Sequence, residues 1–95
     1  MAKRDFNFRV LGSTIREKRI EFGIPARTLA RIVGITPARY EQIESGEKEP
    51  SLNCLLSICC ALRVEMSEII APCLAEHRER TSRAAAQSVP EEQQE

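Results

Sequence analysis

The stretch Ala26–Gly46, ARTLARIVGITPARYEQIESG, constrains this chain more than any other. Leu29, Ala30 and Val33 recur at helical spacing, with Arg27 and Arg31 four apart on the opposite side. Gly34 then interrupts the pattern, as a sharp turn requires of a residue that must take a positive φ. Ile35 is apolar and falls between the two helical runs. Thr36 is a good N-cap and Pro37 a good first helical residue, so a second short helix starts there. Tyr40 and Ile43 are its inward residues, which leaves Ala38, Arg39, Glu41, Gln42 and Ser45 outside. Gly46 ends it. Two short helices joined by a tight turn cannot enclose a core alone, so the flanking chain must complete one.

Upstream, Phe8, Leu11, Ile15 and Phe22 form a helical stripe from about Asn7, with Arg16, Glu17 and Glu21 toward water and Gly23 as its stop. Pro25 suits the first turn of the next helix. Downstream, Ser51 caps a helix whose apolar set is Leu52, Leu55, Leu56, Ile58, Cys59 and Leu62. That set is apolar nearly all round, which predicts a central, buried helix. A fifth helix is expected from about Met66 to Ala71, burying Ile69 and Ile70. Pro72 should break or restart the helix. Residues 73–87 hold strong helix formers with a weak apolar stripe, as expected of an extra C-terminal helix that needs a partner. The last residues, SVPEEQQE, have the composition of a disordered tail. The chain of 95 residues divides into an arm over 1–9, one all-α domain over 10–71 and a C-terminal segment over 72–95.

Net charge is zero, but its distribution is uneven. Residues 1–40 carry nine Lys/Arg against three Asp/Glu, residues 41–71 two against six, and residues 72–95 three against five. A basic half beside an acidic half suits a protein that meets a polyanion with one face, and Lys3 and Arg4 in the arm could reach a phosphate backbone. No apolar run approaches the roughly 20 residues that span a bilayer, and MAKRDFNF lacks a signal-peptide core, so a cytoplasmic location is expected. One His, no nucleophile motif and no phosphate-cradling Gly loop make an enzyme improbable, and no cofactor is implied. Cys54, Cys59, Cys60 and Cys73 lack paired zinc-site spacing and read as reduced thiols. Cys59 falls on the buried face of its helix. Cys73 and His77 are four apart and could share a helical face, but two ligands do not make a metal site.

Taken together, Leu29-Ala30, Gly34, Ile43-Glu44, Gly46, Pro50 and Leu55 resemble the Cro/phage-repressor type (XRE family) of helix-turn-helix domain, over residues 11–71. The resemblance implies a five-helix, lambda-repressor-like bundle that binds double-stranded DNA and regulates transcription, most simply as a repressor. The helix beginning at Pro37 would lie in the major groove. Pro37, Ala38, Arg39 and Gln42 would then face bases, with Arg39 suited to guanine and Gln42 to adenine. Arg27, Thr28, Ser45 and Lys48 would touch phosphates, with Thr36 at the helix entrance beside them. Arg19 and Glu44 stand where relatives pair the first and third helices. Two departures predict weaker binding than in a strongly basic relative: Ala26 replaces a usual polar residue, and the loop Glu47-Lys48-Glu49 is acidic.

One recognition helix contacts few bases, so a homodimer on a two-fold site is expected, joined through the fifth helix and residues 73–87. Two alternatives share the fold. One is an antitoxin-type autorepressor that holds a toxin through 72–87. The other is a protein-interaction module that has lost DNA binding.

Overall fold

The computed structural model describes residues 7–88, which form five helices. The arm residues Lys3 and Arg4 and the tail beyond Ser88 lie outside the described residues. The helices are α1 (Phe8–Phe22), α2 (Ala26–Val33), α3 (Pro37–Ser45), α4 (Leu52–Leu62) and α5 (Met66–Ser88).

Each start follows from side-chain chemistry. The first N–H groups of a helix have no intrahelical acceptor, so a short polar side chain just ahead is selected to supply one. Asn7 Oδ1 accepts from the N–H of Arg9 at 3.0 Å, Thr36 Oγ1 from Arg39 at 3.1 Å and Ser51 Oγ from Cys54 at 3.0 Å. At α5 the Glu65 N–H donates to Glu68 Oε2 at 3.0 Å, the reciprocal half of a capping box. Pro25 sits one place earlier than its spacing suggested, at the N-cap of α2. Gly34 closes α2 at φ 91°, so the chain reverses at once into α3. α4 closes on Arg63 at φ 58°, a left-handed position that costs a side chain about 1 kcal/mol and that glycine would occupy freely.

The core is Leu11 and Ile15 of α1, Leu29 and Ala30 of α2, Tyr40 and Ile43 of α3, Leu55, Ile58, Cys59 and Leu62 of α4, and Ile69 and Cys73 of α5. α1 occupies its centre, packing on α3 and on α5. α1 and α5 run antiparallel: Asn7 Nδ2 donates to Glu76 Oε2 at 3.2 Å at one end, and Lys18 lies 3.6 Å from Glu68 at the other.

Three expectations are corrected. α4 is not the buried centre, because Leu52 is 70% exposed and Leu56 46% exposed. Its sequence is apolar nearly all round, but the bundle supplies neighbours on one side only. Phe22 is likewise 46% exposed: it lines an open cleft with Leu62, Val64 and Glu68, which border it without enclosing it. Pro72 does not break the helix: α5 runs through it, and no separate sixth helix forms among the described residues. Ile69 and Cys73, on either side of Pro72, are both fully buried. That packing outweighs the lost hydrogen bond, and exposed Pro72 leaves the freed carbonyl within reach of water. α1 also begins at Phe8, two residues earlier than the proposed domain boundary. No helix among the described residues is long and apolar enough to cross a membrane.

Candidate nucleic-acid interface

The outer side of α3 is where the chain presents chemistry. Burial of Tyr40 and Ile43 decides its rotation, and everything opposite them is turned outward. Pro37, Ala38 and Arg39 are exposed at its N-terminus, Ser45 at its end, and Gln42 is half-buried. The Thr36 hydroxyl caps the helix, so its phosphate-facing capacity is shared with that structural task. Ala38, Glu41, Gln42, Ser45 and Glu47 line one shallow cleft. Arg39 lines a second cleft, of about 350 Å³, with Ile35, Ile43, Pro50, Ser51 and Cys54. Arg39 and Gln42, three residues apart, share the outer face of α3 while lining adjoining clefts, and Glu41 and Glu47 line the one that Gln42 borders. A duplex seated on this face would meet its favourable charge at Arg39.

α2 brings Arg27 to the surface and half-buries Thr28. No side chain caps α2, so the positive end of its dipole is open to an anion. Lys48 is exposed in the loop after α3, where the N–H groups of Glu47 and Lys48 both donate to the Gln42 carbonyl, at 2.9 and 3.1 Å. The Ser45 hydroxyl donates to that carbonyl too, at 3.1 Å, which turns it partly inward.

A part-buried polar network fixes how α3 is held. Arg19 Nε donates to Glu44 Oε2 at 2.7 Å and Nη2 to Oε1 at 3.4 Å, a two-pronged ion pair between α1 and α3. Arg19 Nη1 also donates to the Ile24 carbonyl at 2.9 Å, tying in the turn before α2. The Tyr40 hydroxyl donates to Glu44 Oε2 as well. One arginine thus clamps the three segments whose relative positions define the outer face.

The Arg19–Glu44 pair was legible in the sequence; the part played by Tyr40 and the Ile24 carbonyl was not. The Tyr40 phenol is pushed well above its ordinary value, first by burial and then by its bond to Glu44. A raised value means the fold prefers the protonated phenol. The stability this gives is complete below the unfolded value of about 10 and declines as pH rises past it. Tyr40 is the only tyrosine, so its phenolate absorbance should stay silent until the chain unfolds in alkali. Y40F should shift that alkaline unfolding upward while lowering stability near neutrality by about 1 kcal/mol.

Gly12 is a second residue that sequence reasoning passed over. A Cβ there would lie 2.3 Å from the Glu44 carbonyl oxygen and 2.4 Å from that of Ile43. α1 crosses the end of α3 backbone against backbone, which only glycine permits. The available signal was a glycine inside a helix, where it costs about 1 kcal/mol against alanine and so implies a close approach.

Burial raises the thiols of Cys54, Cys59 and Cys73 above their ordinary value, which keeps them protonated. Cys54 is half-buried and Cys60 exposed; Cys59 and Cys73 are core residues, and the Cys59 thiol donates to Met66 Sδ at 3.9 Å. Among the described residues no three His, Cys, Asp or Glu side chains come together as a metal site.

Known proteins resemble this arrangement in sequence and in shape. Over 55 residues the chain is 34% identical to the HTH-type transcriptional regulator YgzD of Bacillus subtilis (strain 168), covering 58% of this chain and 83% of that one. The clp gene regulator ClgR of C. glutamicum superposes with a TM-score of 0.68 at 26% identity, covering 76% of this chain and 94% of that one. The P22 c2 repressor, solved with a synthetic operator, superposes with a TM-score of 0.58 at 29% identity, covering 62% and 89%. The profile of the Helix-turn-helix family matches residues 15–69, from the middle of α1 into α5. With that match spanning more than half its length, the chain belongs to the helix-turn-helix family of DNA-binding transcriptional regulators, of the Cro/phage-repressor type.

Proposed function

We propose that this protein is a sequence-specific repressor that lays α3 in the major groove and binds as a homodimer to a two-fold operator. The observation that carries the reading is the exposed N-terminal face of α3, Pro37-Ala38-Arg39, together with the uncapped N-terminus of α2. The operator complex of the P22 c2 repressor supports it by likeness of fold. Arg39 reads a base, guanine being the match for its two parallel donors, and Gln42 pairs with adenine. Pro37 and Ala38 supply apolar contact to a thymine methyl. Arg27, Thr28, Ser45, Lys48 and the α2 N-terminus hold phosphates and set register, with Thr36 preorganising the tip of α3. Repression follows from occupancy, because a bound dimer covers the site that a polymerase or activator would need.

The test is selection of bound duplexes from a random pool, followed by titration at several salt concentrations. R39A should cost about 1–3 kcal/mol and relax preference at one position of each half-site. R27A should weaken all sequences alike and reduce the salt slope by about 1. No binding to any duplex at low salt would refute the assignment and favour an interaction module of the same fold.

A further inference from the structure

The outer face of α4 is an apolar feature that the core does not absorb, and Leu52 on it is 70% exposed. Leu52, Leu56 and Cys60 are exposed and follow one another at four-residue spacing, so they form a single stripe along the helix. α4 is also the only one of the five helices without a charged side chain. Exposed Glu49 precedes the N-cap and exposed Arg63 closes the C-terminus, with exposed Lys48 and Glu65 farther out from the helix.

We infer that this stripe is the two-fold contact between two copies of the chain, with the α4 helices packed antiparallel about Leu56. This rests on the paired-half-site reading above and names the surface that performs it. A two-fold axis sets the same patch of both copies face to face, so a face of one charge sign repels itself whereas an uncharged apolar one does not. With Leu56 on the axis, Leu52 meets Cys60 of the partner subunit, since each lies four residues from the centre. The antiparallel sense then brings Arg63 beside the partner's Glu49, and Glu49 beside the partner's Arg63, two opposite-charge pairs at the rim. A parallel pairing would oppose like charges at both ends.

The contact leaves the recognition face open. Cys54 lines the cleft beside Arg39, and Leu56 is two residues on, rather more than half a turn around α4. α5 is the weaker candidate: Leu74 is its only exposed large apolar side chain among the described residues, amid Glu and Arg.

The experiment is analytical ultracentrifugation of the full chain at micromolar concentration, with thermal melting as the check on folding. Wild type should sediment as a dimer. L56E, and independently L52E at a still more exposed position, should sediment as monomers with unchanged melting, the dimer dissociation constant rising about 100-fold or more. L52C should oxidise to a covalent dimer through Cys60 of the partner subunit, and L52C/C60S should not. If L52E and L56E stay dimeric while L74E dissociates, the α4 contact is wrong and the homodimer stands. Wild type that is monomeric with and without duplex DNA overturns both.

Discussion

Replacing Gly12 by alanine should destabilise this protein strongly, although alanine is the better helix former. The added carbon would sit 2.3–2.4 Å from two backbone oxygens at the end of α3, Glu44 and Ile43. Backbone cannot rotate aside as a side-chain tip can, so α1 must move away from α3 and carry Leu11 and Ile15 out of the core. Overpacking commonly costs 1–3 kcal/mol, and a clash between two helix backbones belongs at or above the top of that range, about 3 kcal/mol. Alanine also gains about 1 kcal/mol of helix propensity, so a net loss would isolate the steric effect.

For a domain of this size, 3 kcal/mol corresponds to a fall in Tm of about 12–24 °C. G23A provides the contrast. Gly23 has φ 89° with nothing within 4 Å of its added Cβ, so only the conformational cost applies, about 1 kcal/mol. Equal melting of G12A and wild type would show that α1 and α3 are not in backbone contact.

The second large effect is expected at Glu44, whose side chain is 11% exposed against 13% for Arg19. E44A removes both acceptors of the Arg19 fork and the acceptor of the Tyr40 hydroxyl in one step, leaving Arg19 with the Ile24 carbonyl alone. Breaking a fully buried pair from one side costs 3–5 kcal/mol; with some solvent access here, about 2–3 kcal/mol is expected.

E44Q keeps an oxygen acceptor and should lose less. Because Glu44 points into the bundle, E44A should lower Tm and overall DNA affinity without changing which bases are preferred. R39A should do the reverse, altering base preference at unchanged melting, since Arg39 is exposed and its side chain takes no part in the clamp. An E44A protein with normal melting and altered specificity would remove Glu44 from the structural role given to it.

The two effects separate what the chain's local chemistry could tell from what it could not. Asn7, Thr36 and Ser51 are short polar residues just ahead of apolar periodic runs, and all three cap as their type demands, because an orphan N–H is satisfied within three residues of its acceptor. Gly23, Gly34 and Gly46 close their helices for an equally local reason, the positive φ at each. The turn between α2 and α3, the inward Tyr40 and Ile43, and the outward Arg39 were therefore legible from residue order alone. The Arg19–Glu44 pair spans 25 residues and was legible only through resemblance to a family.

Contacts between distant backbones left no such trace. A mid-helix Gly12 signals close approach without saying to what, and only the crossing of α1 over α3 supplies the answer. The fate of Pro72 was decided by the burial of Ile69 and Cys73 on both sides of it, a tertiary gain that outweighs a local loss. Leu52, Leu56 and Phe22 were misplaced for one shared reason. Residue order determined which faces of these helices are apolar; only the fold decided how many of those faces it had neighbours to cover.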